Sequence, residues 1–257
     1  MRTSLLAGLT AAALVPLSVM PATAGNPRIY HTISSTYGYA VVTQQLDECL
    51  LGEVFVSSSV GTYAAQPGPV DKQGLTGVLV RITDTCATPP EGDVSVQAGG
   101  GPAGVVVLEA DGQLYDDLRD GDLNGAALQV DPRLRWAWVA TSIPGTATAY
   151  TDGIPAEPYD VVIQLEASWT GVGELEHTTA VNHENFPDEG VVNSTANDLR
   201  RSAEAEVAVT VDGHTLTGFD PGQEAGGSGV LERSKSRCIE VPRPGVEGFY
   251  PCFGFPG

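Results

Sequence analysis

At residues 204–217 the chain reads EAEVAVTVDGHTLT. Alanine and valine occupy every second position from 205 to 211 and alternate with mostly polar residues, which is the period of a β-strand with one buried face. Asp212-Gly213 follows directly, and these residue types accept the positive φ that a two-residue hairpin turn requires. This stretch therefore predicts a β-hairpin whose second strand begins at His214.

Strand-forming patterns recur along the rest of the chain. Segments rich in Val, Ile, Thr and aromatic residues lie between Gly, Pro, Asp and Asn clusters, at residues 39–43, 54–60, 77–83, 94–97, 105–108, 136–143, 159–169 and 175–181. Only residues 197–206 offer a short helical alternative, and the glycine-rich segments 99–104 and 218–229 are interpreted as connecting loops. Many strands without amphipathic helices between them predict an all-β fold, a single β-sandwich or barrel-like domain of short antiparallel strands.

The first 24 residues have the features of a cleavable secretory signal. Arg2 gives a positive start, residues 5–17 are mainly apolar, and Ala22-Thr23-Ala24 is a small-residue cleavage site. The apolar run is shorter than the roughly 20 residues that span a bilayer, so no membrane anchor is expected. We predict a signal peptide at 1–24, an all-β globular domain at 25–233, a Pro/Gly-rich disulfide-closed tail at 234–257, and a secreted, extracellular protein.

The four cysteines favour disulfides over metal binding. An exported chain meets an oxidising compartment, and tight Cys-x-x-Cys pairs typical of metal sites are absent from the sequence. Four cysteines allow three pairings. Closeness in sequence favours Cys49 with Cys86, each next to a predicted strand, and Cys238 with Cys252 around the C-terminal tail.

The charge of the chain limits its partners. The sequence has 32 Asp and Glu against 13 Lys and Arg, a formal net charge of −19. A field of this sign repels phosphate groups, so nucleic acid and anionic membranes are excluded as expected partners. The expected partner is an unknown extracellular molecule or a glycan.

One segment has the spacing of a calcium-binding loop. Asp120, Asp122 and Asn124 occupy positions one, three and five, a glycine is sixth, and Asp131 is twelfth. Aspartate at position twelve has a shorter reach than the usual glutamate, and no helical pattern flanks the loop. Calcium binding stays open as an alternative, but an Asp/Gly-rich turn before a strand is favoured, and no metal or cofactor is predicted.

Catalytic patterns are weak. His177 and His183 are six residues apart in one predicted strand, a separation of roughly 20 Å that does not allow a shared metal. His31 and His214 stand alone and are interpreted as surface residues. The segment around Ser228, Gly-Gly-Ser-Gly-Val, departs from the serine-esterase pattern at its last position. No catalytic residue is predicted, and the chain is not expected to be an enzyme.

Two of the three tryptophans share one face of a predicted strand. Trp136 and Trp138 alternate with Ala137 and Val139 in segment 136–143, so the indoles point one way and the small aliphatic side chains the other. Burial of both faces in the core is the favoured interpretation, because large aromatic side chains are usually buried. The alternative is an exposed platform on which sugar rings stack.

Three segments are similar to segments of uncharacterised exported proteins of actinobacteria: CLLGEVFV at 49–56, WTGVG at 169–173 and RSAE at 201–204 leading into 207–212. This resemblance implies an extracellular β-rich fold and no particular activity. The functional expectation is a secreted, non-catalytic binding or interaction protein. Its alternative is a carbohydrate- or cell-wall-binding module that uses the Trp136/Trp138 face, with an extracellular hydrolase as a third choice.

Overall fold

A computed structural model describes residues 28–66, 70–88, 104–117, 128–212, 214–215, 227–246 and Cys252. The predicted signal peptide and the predicted strand at 94–97 lie outside these residues. No helix in the described part of the chain is long and apolar enough to cross a membrane.

The described residues form twelve β-strands. In chain order they are β1 (Ile29–Gln45), β2 (Leu50–Gln66), β3 (Val70–Asp84), β4 (Val105–Asp117), β5 (Gln129–Val130), β6 (Trp136–Thr151), β7 (Ile154–Pro155), β8 (Tyr159–Gly171), β9 (Glu176–Phe186), β10 (Gly190–Val211), β11 (His214–Thr215) and β12 (Gly227–Pro242). The predicted all-β fold is confirmed, and the main strands are longer than the sequence pattern suggests.

Eight of these strands close into an antiparallel ring in the order β1, β2, β3, β4, β6, β8, β10 and β12, which returns to β1. Most neighbours in the ring follow one another in chain order, so the ring follows the chain for most of its circumference. β10 is long enough to pair with β8 over one half and with β9 over the other. β9 thereby extends the sheet beyond the ring.

The interior of the ring is mainly apolar, with the buried hydroxyl groups of Ser58 and Thr76 hydrogen-bonded to each other, and its apolar core contains one large aromatic side chain. Trp169 is 1% exposed, and its indole N–H donates to the Tyr39 carbonyl oxygen at 3.0 Å. Gly38 and Gly229 face the indole, and a Cβ at either position would come within 3.2 and 3.0 Å of its ring atoms. The two glycines therefore provide the space that Trp169 fills.

The predicted hairpin is present. Val211 pairs with His214 in the β10–β11 ladder, and Asp212 has a φ of 49°. The helical alternative at residues 197–206 is wrong, because these residues lie inside β10. Pairing with β12 on one side, and with β9 and β8 on the other, supplies their backbone hydrogen bonds.

β12 is the strand that the sequence pattern missed. Its first residues lie in the glycine-rich segment 218–229 that was interpreted as a loop, and the predicted domain boundary between residues 233 and 234 falls in its middle. Position 227 has no room for a side chain, because a Cβ there would lie 2.3 Å from the Ala205 carbonyl oxygen. Glycine in this strand thus reflects close backbone approach.

Both predicted disulfides are confirmed. Cys49 bonds to Cys86 and Cys238 bonds to Cys252, with S–S distances of 1.95 and 2.03 Å. The first joins the open end of the β2–β3 hairpin, opposite its connecting loop, and the second ties Cys252 to β12. Such bonds persist in an oxidising environment.

The favoured burial of Trp136 and Trp138 is wrong. They are 48% and 37% exposed, while Ala137 and Val139 are buried. The face assignment from alternation holds, but β6 has only one covered face because nothing in the described chain packs outside it. The Trp138 indole N–H donates to the Glu166 carboxylate at 3.3 Å.

We predict that Trp169→Ala lowers the free energy of unfolding by about 3–5 kcal/mol, as expected for truncating a fully buried aromatic side chain. Trp136→Ala should cost about 1 kcal/mol or less, because its indole is half exposed. Urea unfolding followed by circular dichroism measures both. Equal losses in the two variants would contradict the assignment of Trp169 as the interior filler.

Candidate acid–base site

The candidate site lies on the outer face of the sheet, where β1, β12, β10 and β9 are neighbours. Residues directly opposite one another in antiparallel strands project to the same face. Two adjacent rows of such residues cross the four strands. They are His31, Cys238, Ser194 and Asn182, and Ile33, Ser236, Ala196 and Ala180.

A cavity of about 150 Å³ opens over these two rows. We call it the outer-face pocket, and its walls include all eight side-chain positions together with Cys252. Ser194, Ser236, Ala196 and Ala180 have small side chains, which leave space between larger neighbours. The disulfide to Cys238 holds Cys252 over one side of this space.

A buried carboxylate faces the pocket histidine. His31 is 3% exposed and Glu240 is 0% exposed, and His31 Nε2 lies 3.1 Å from Glu240 Oε2. The second carboxylate oxygen, Oε1, accepts the backbone N–H of Cys252 at 2.9 Å. A buried carboxylate is retained only where such donors replace its hydration. Glu240 therefore connects the histidine to the C-terminal segment.

The other imidazole nitrogen faces a phenol. His31 Nδ1 lies 3.0 Å from Tyr63 Oη. Because the Glu240 carboxylate accepts from Nε2–H, Nδ1 is the nitrogen that can accept the Tyr63 hydroxyl proton. Burial raises the pKa of Tyr63, and the negative charges of Glu240 and Asp71 raise it further. We refer to these three side chains as the Glu240–His31–Tyr63 relay.

The relay has the parts needed for general acid–base chemistry. A fixed carboxylate orients an imidazole and stabilises its protonated form, as in other carboxylate–histidine pairs. The imidazole can take a proton from the phenol, which then becomes a base at its oxygen. The arrangement runs from a fully buried carboxylate to a half-buried hydroxyl.

The prediction of His31 as a surface residue is wrong. His31 belongs to the outer face of β1, and that face is covered here by the C-terminal segment. Glu240 is 209 residues away in sequence, so only the pairing of β1 with β12 brings the two together. His177 and His183 do lie exposed in one strand, β9. The side chain of His214 is outside the described part of the chain.

The proposed calcium loop is only partly described. Asp120, Asp122 and Asn124 lie outside the described residues. Asp131 is buried, and its two carboxylate oxygens accept hydrogen bonds from the Arg135 guanidinium at 2.7 and 3.0 Å and from the backbone N–H groups of Arg133 and Arg135. These donors, the guanidinium first, hold the pKa of Asp131 well below its usual range although burial opposes them. Asp131 is thus a turn residue with occupied oxygens.

Comparison with known proteins gives no family. No protein-family model matches the chain, and no curated protein is significantly similar. Eight chains of solved structures match. An acetoacetate decarboxylase-like enzyme from Sphingomonas wittichii RW1 is 10% identical over 83% of this chain and 92% of that one, with a TM-score of 0.27. The enduracididine biosynthesis enzyme MppR with HEPES buffer bound is 12% identical over 93% of this chain and 97% of that one, with a TM-score of 0.25. The same enzyme in complex with pyruvate is 13% identical over 90% of this chain and 96% of that one, also with a TM-score of 0.25.

These neighbours contradict the predicted function. They are enzymes, whereas the prediction was a non-catalytic binding or interaction protein, with a Trp-face carbohydrate or cell-wall module as its alternative. That prediction is corrected and not carried forward. It rested on the lack of a recognisable acid–base pair, and such a pair forms only when β12 lies beside β1. At these TM-scores the likeness assigns neither a fold nor an activity to the chain.

We predict that His31→Ala lowers the free energy of unfolding by about 3–5 kcal/mol, because it removes the side-chain donor from a buried carboxylate. His183→Ala is the matched control on exposed β9 and should change stability by about 0.5 kcal/mol or less. Chemical denaturation of both variants provides the measurement. A loss no larger than that of His183→Ala would show that the Glu240–His31 contact contributes nothing to stability.

A second prediction concerns acid. Since the Asp131 pKa is lowered in the folded state, its ionised form stabilises the protein above the unfolded-state pKa of about 3.9, and this contribution disappears as the pH falls below that value. The Tm difference between wild type and Asp131→Asn should therefore be largest near neutral pH and shrink below about pH 4. Thermal melts from pH 7 to pH 2 test this, with exposed Asp198→Asn as control. A difference that grows in acid would be the opposite of this expectation.

Proposed function

We propose that the protein is an exported enzyme that transfers a proton in a small, mainly apolar substrate held in the outer-face pocket. The observation that supports this most directly is the contact of buried His31, which lines that pocket, with fully buried Glu240. A purely apolar patch would stabilise the C-terminal segment without the desolvation cost of a carboxylate. The polar pair is best explained by chemistry at the imidazole.

In the proposed step, Tyr63 Oη takes a proton from the substrate while its own proton moves to His31 Nδ1. The Glu240 carboxylate offsets the positive charge that then develops on the imidazole. Reversal of the transfer returns a proton, exchanged with solvent at the Tyr63 hydroxyl group, to the same substrate carbon. The raised pKa of Tyr63 keeps its hydroxyl group protonated at rest, so that the hydroxyl proton moves to His31 only as the substrate proton is taken. Tyr63 is directly opposite Ile33, and both Ile33 and the Tyr63 partner His31 line the pocket.

The pocket sets the size and polarity of the substrate. About 150 Å³ is the volume of a cavity that accepts a molecule the size of benzene. The hydroxyl groups of Ser194 and Ser236 lie in the pocket floor and can donate to one substrate oxygen. A ketone of about six to eight non-hydrogen atoms fits these requirements, because it combines an acidic C–H with one hydrogen-bond acceptor.

Export is part of the proposal. Two disulfides indicate an oxidising environment, and the predicted signal at 1–24 supports secretion into it. The resemblance to exported actinobacterial proteins stays a prediction. The negative charge favours a neutral or cationic substrate over an anionic one.

We predict that the protein speeds the exchange of solvent deuterium into the carbon next to the carbonyl of such ketones. Proton NMR follows the exchange in D₂O. Tyr63→Phe keeps the ring and removes the hydroxyl, so it should slow exchange about 100-fold or more. Tyr37→Phe is the matched control, because the Tyr37 hydroxyl donates to Glu232 away from the pocket. Exchange at the buffer rate, or equal rates in wild type and Tyr63→Phe, would overturn the proposal.

A further inference from the structure

Metal-binding atoms meet beneath the C-terminal segment. A ring nitrogen of His31, a carboxylate oxygen of Glu240 and Cys252 Sγ lie within 4.8 Å of one another, and all three residues are buried. Cys238 Sγ is bonded to Cys252 Sγ at 2.03 Å, so a second sulfur adjoins this group, although it is not one of the atoms that all lie within 4.8 Å of one another. In the disulfide form neither sulfur is a thiolate, which is the ligand form of cysteine.

We propose that the reduced protein binds one Zn²⁺ ion between His31, Glu240, Cys238 and Cys252. Zinc takes four tetrahedral ligands from this set of residue types, at about 2.0–2.2 Å for nitrogen and oxygen and about 2.3 Å for sulfur. Closing the 4.8 Å spread of the His31, Glu240 and Cys252 atoms onto such an ion requires movements of about 1 Å for each of these three ligands. The proposal is independent of the acid–base role, because it concerns metal binding without substrate.

The surroundings already orient the ligands. Glu240 Oε1 accepts the Cys252 backbone N–H, which leaves Oε2 to face the metal. When His31 Nε2 binds zinc, its proton moves to Nδ1, and Nδ1–H then donates to Tyr63 Oη at the distance now observed. Hydrogen bonds of this kind to the second nitrogen of a metal-bound histidine fix its orientation and raise affinity.

Reduction supplies the ligands. A small dithiol gives two electrons and two protons to the Cys238–Cys252 bond and leaves as its own disulfide. Zn²⁺ then replaces the two thiol protons, which pass to solvent. Both cysteines line the outer-face pocket, which provides a path for the reductant and the ion. The same four ligands exist in the chain before its disulfides form.

The other disulfide offers a natural comparison. Cys49, Cys86 and Asp84 also place their ligand atoms within 4.8 Å. One Asp84 oxygen, however, accepts the backbone N–H groups of Cys86 and Ala87 at 2.9 and 3.0 Å, and the group includes no histidine. It is less buried than the His31 cluster. We therefore expect zinc at the Cys238–Cys252 end alone.

The test uses full-length protein that is reduced with a dithiol. The dithiol is then removed under anaerobic conditions. Reduced wild type should bind one Zn²⁺ per chain, and Co²⁺ in its place should give thiolate-to-metal charge-transfer absorption. The Cys49→Ser/Cys86→Ser variant should bind the same amount, whereas Cys238→Ser/Cys252→Ser and the oxidised wild type should bind none. Retention of zinc by the Cys238→Ser/Cys252→Ser variant, or no binding by reduced wild type, would overturn the proposal.

A single substitution avoids reduction altogether. Cys238→Ser leaves the Cys49–Cys86 disulfide intact and frees the Cys252 thiol beside His31 and Glu240. This variant should bind Co²⁺ with one thiolate ligand, and adding His31→Gln should lower the affinity at least about 100-fold, the upper end of the effect of losing even an indirect partner. Circular dichroism confirms that both variants are folded. Equal affinity with and without His31 would contradict the site.

Discussion

The pairing of β12 with β1 on one edge and with β10 on the other is the interaction on which the rest of the structure depends. It closes the ring. The same strand contributes side chains to the core on the inner face of the sheet and to the candidate site on the outer face. Leu231 points inward and is fully buried, while Cys238 and Glu240 point outward. Because side chains alternate with a period of two, a shift by one residue would exchange the core and the site. The register of β12 therefore sets both.

Closure also separates the apolar core of the barrel from the candidate site on the outer face of the sheet. Trp169 and the aliphatic side chains of the neighbouring strands occupy the interior, and Gly38 and Gly229 admit the indole with no space for a Cβ. On the outer face, the C-terminal segment covers His31 and Glu240 locally and forms a small second core with Val192. In the described part of this segment, the Cys238–Cys252 disulfide, the hydrogen bond from the Cys252 backbone to Glu240 and the one from the Arg243 backbone to the Glu189 carbonyl oxygen attach it to the rest of the chain.

Local patterns in the sequence predicted much of the fold. Alternation identified the faces of β6 and β10 correctly, Asp212-Gly213 marked the hairpin, and closeness in sequence paired the cysteines. Three predictions failed for the same reason, since each depended on contacts between distant parts of the chain. Glycines in β12 resembled a loop, Trp136 and Trp138 resembled core residues, and His31 resembled a surface residue. Packing that arises only when the ring closes decides all three.

The relay itself has almost no sequence signal. His31, Tyr63 and Glu240 occur in three different strands. Glu240 is one of 32 acidic residues and Tyr63 is one of eight tyrosines, so their residue types alone do not single them out. Only the register of β1 with β2 and β12 selects these three side chains. Such a site is found from the structure and not from a motif, because no short segment contains two of its members.

The protonation of the two His31 ring nitrogens tests the central claim most directly. Selective ¹⁵N labelling of histidine, with His31→Gln to assign the signals among the four histidines, distinguishes a protonated from an unprotonated ring nitrogen. The Glu240–His31–Tyr63 relay requires that Nε2 carries a hydrogen shared with Glu240 and protected from solvent exchange. An unprotonated Nε2, or an Nε2 hydrogen that exchanges as fast as those of exposed His177 and His183, would contradict the account.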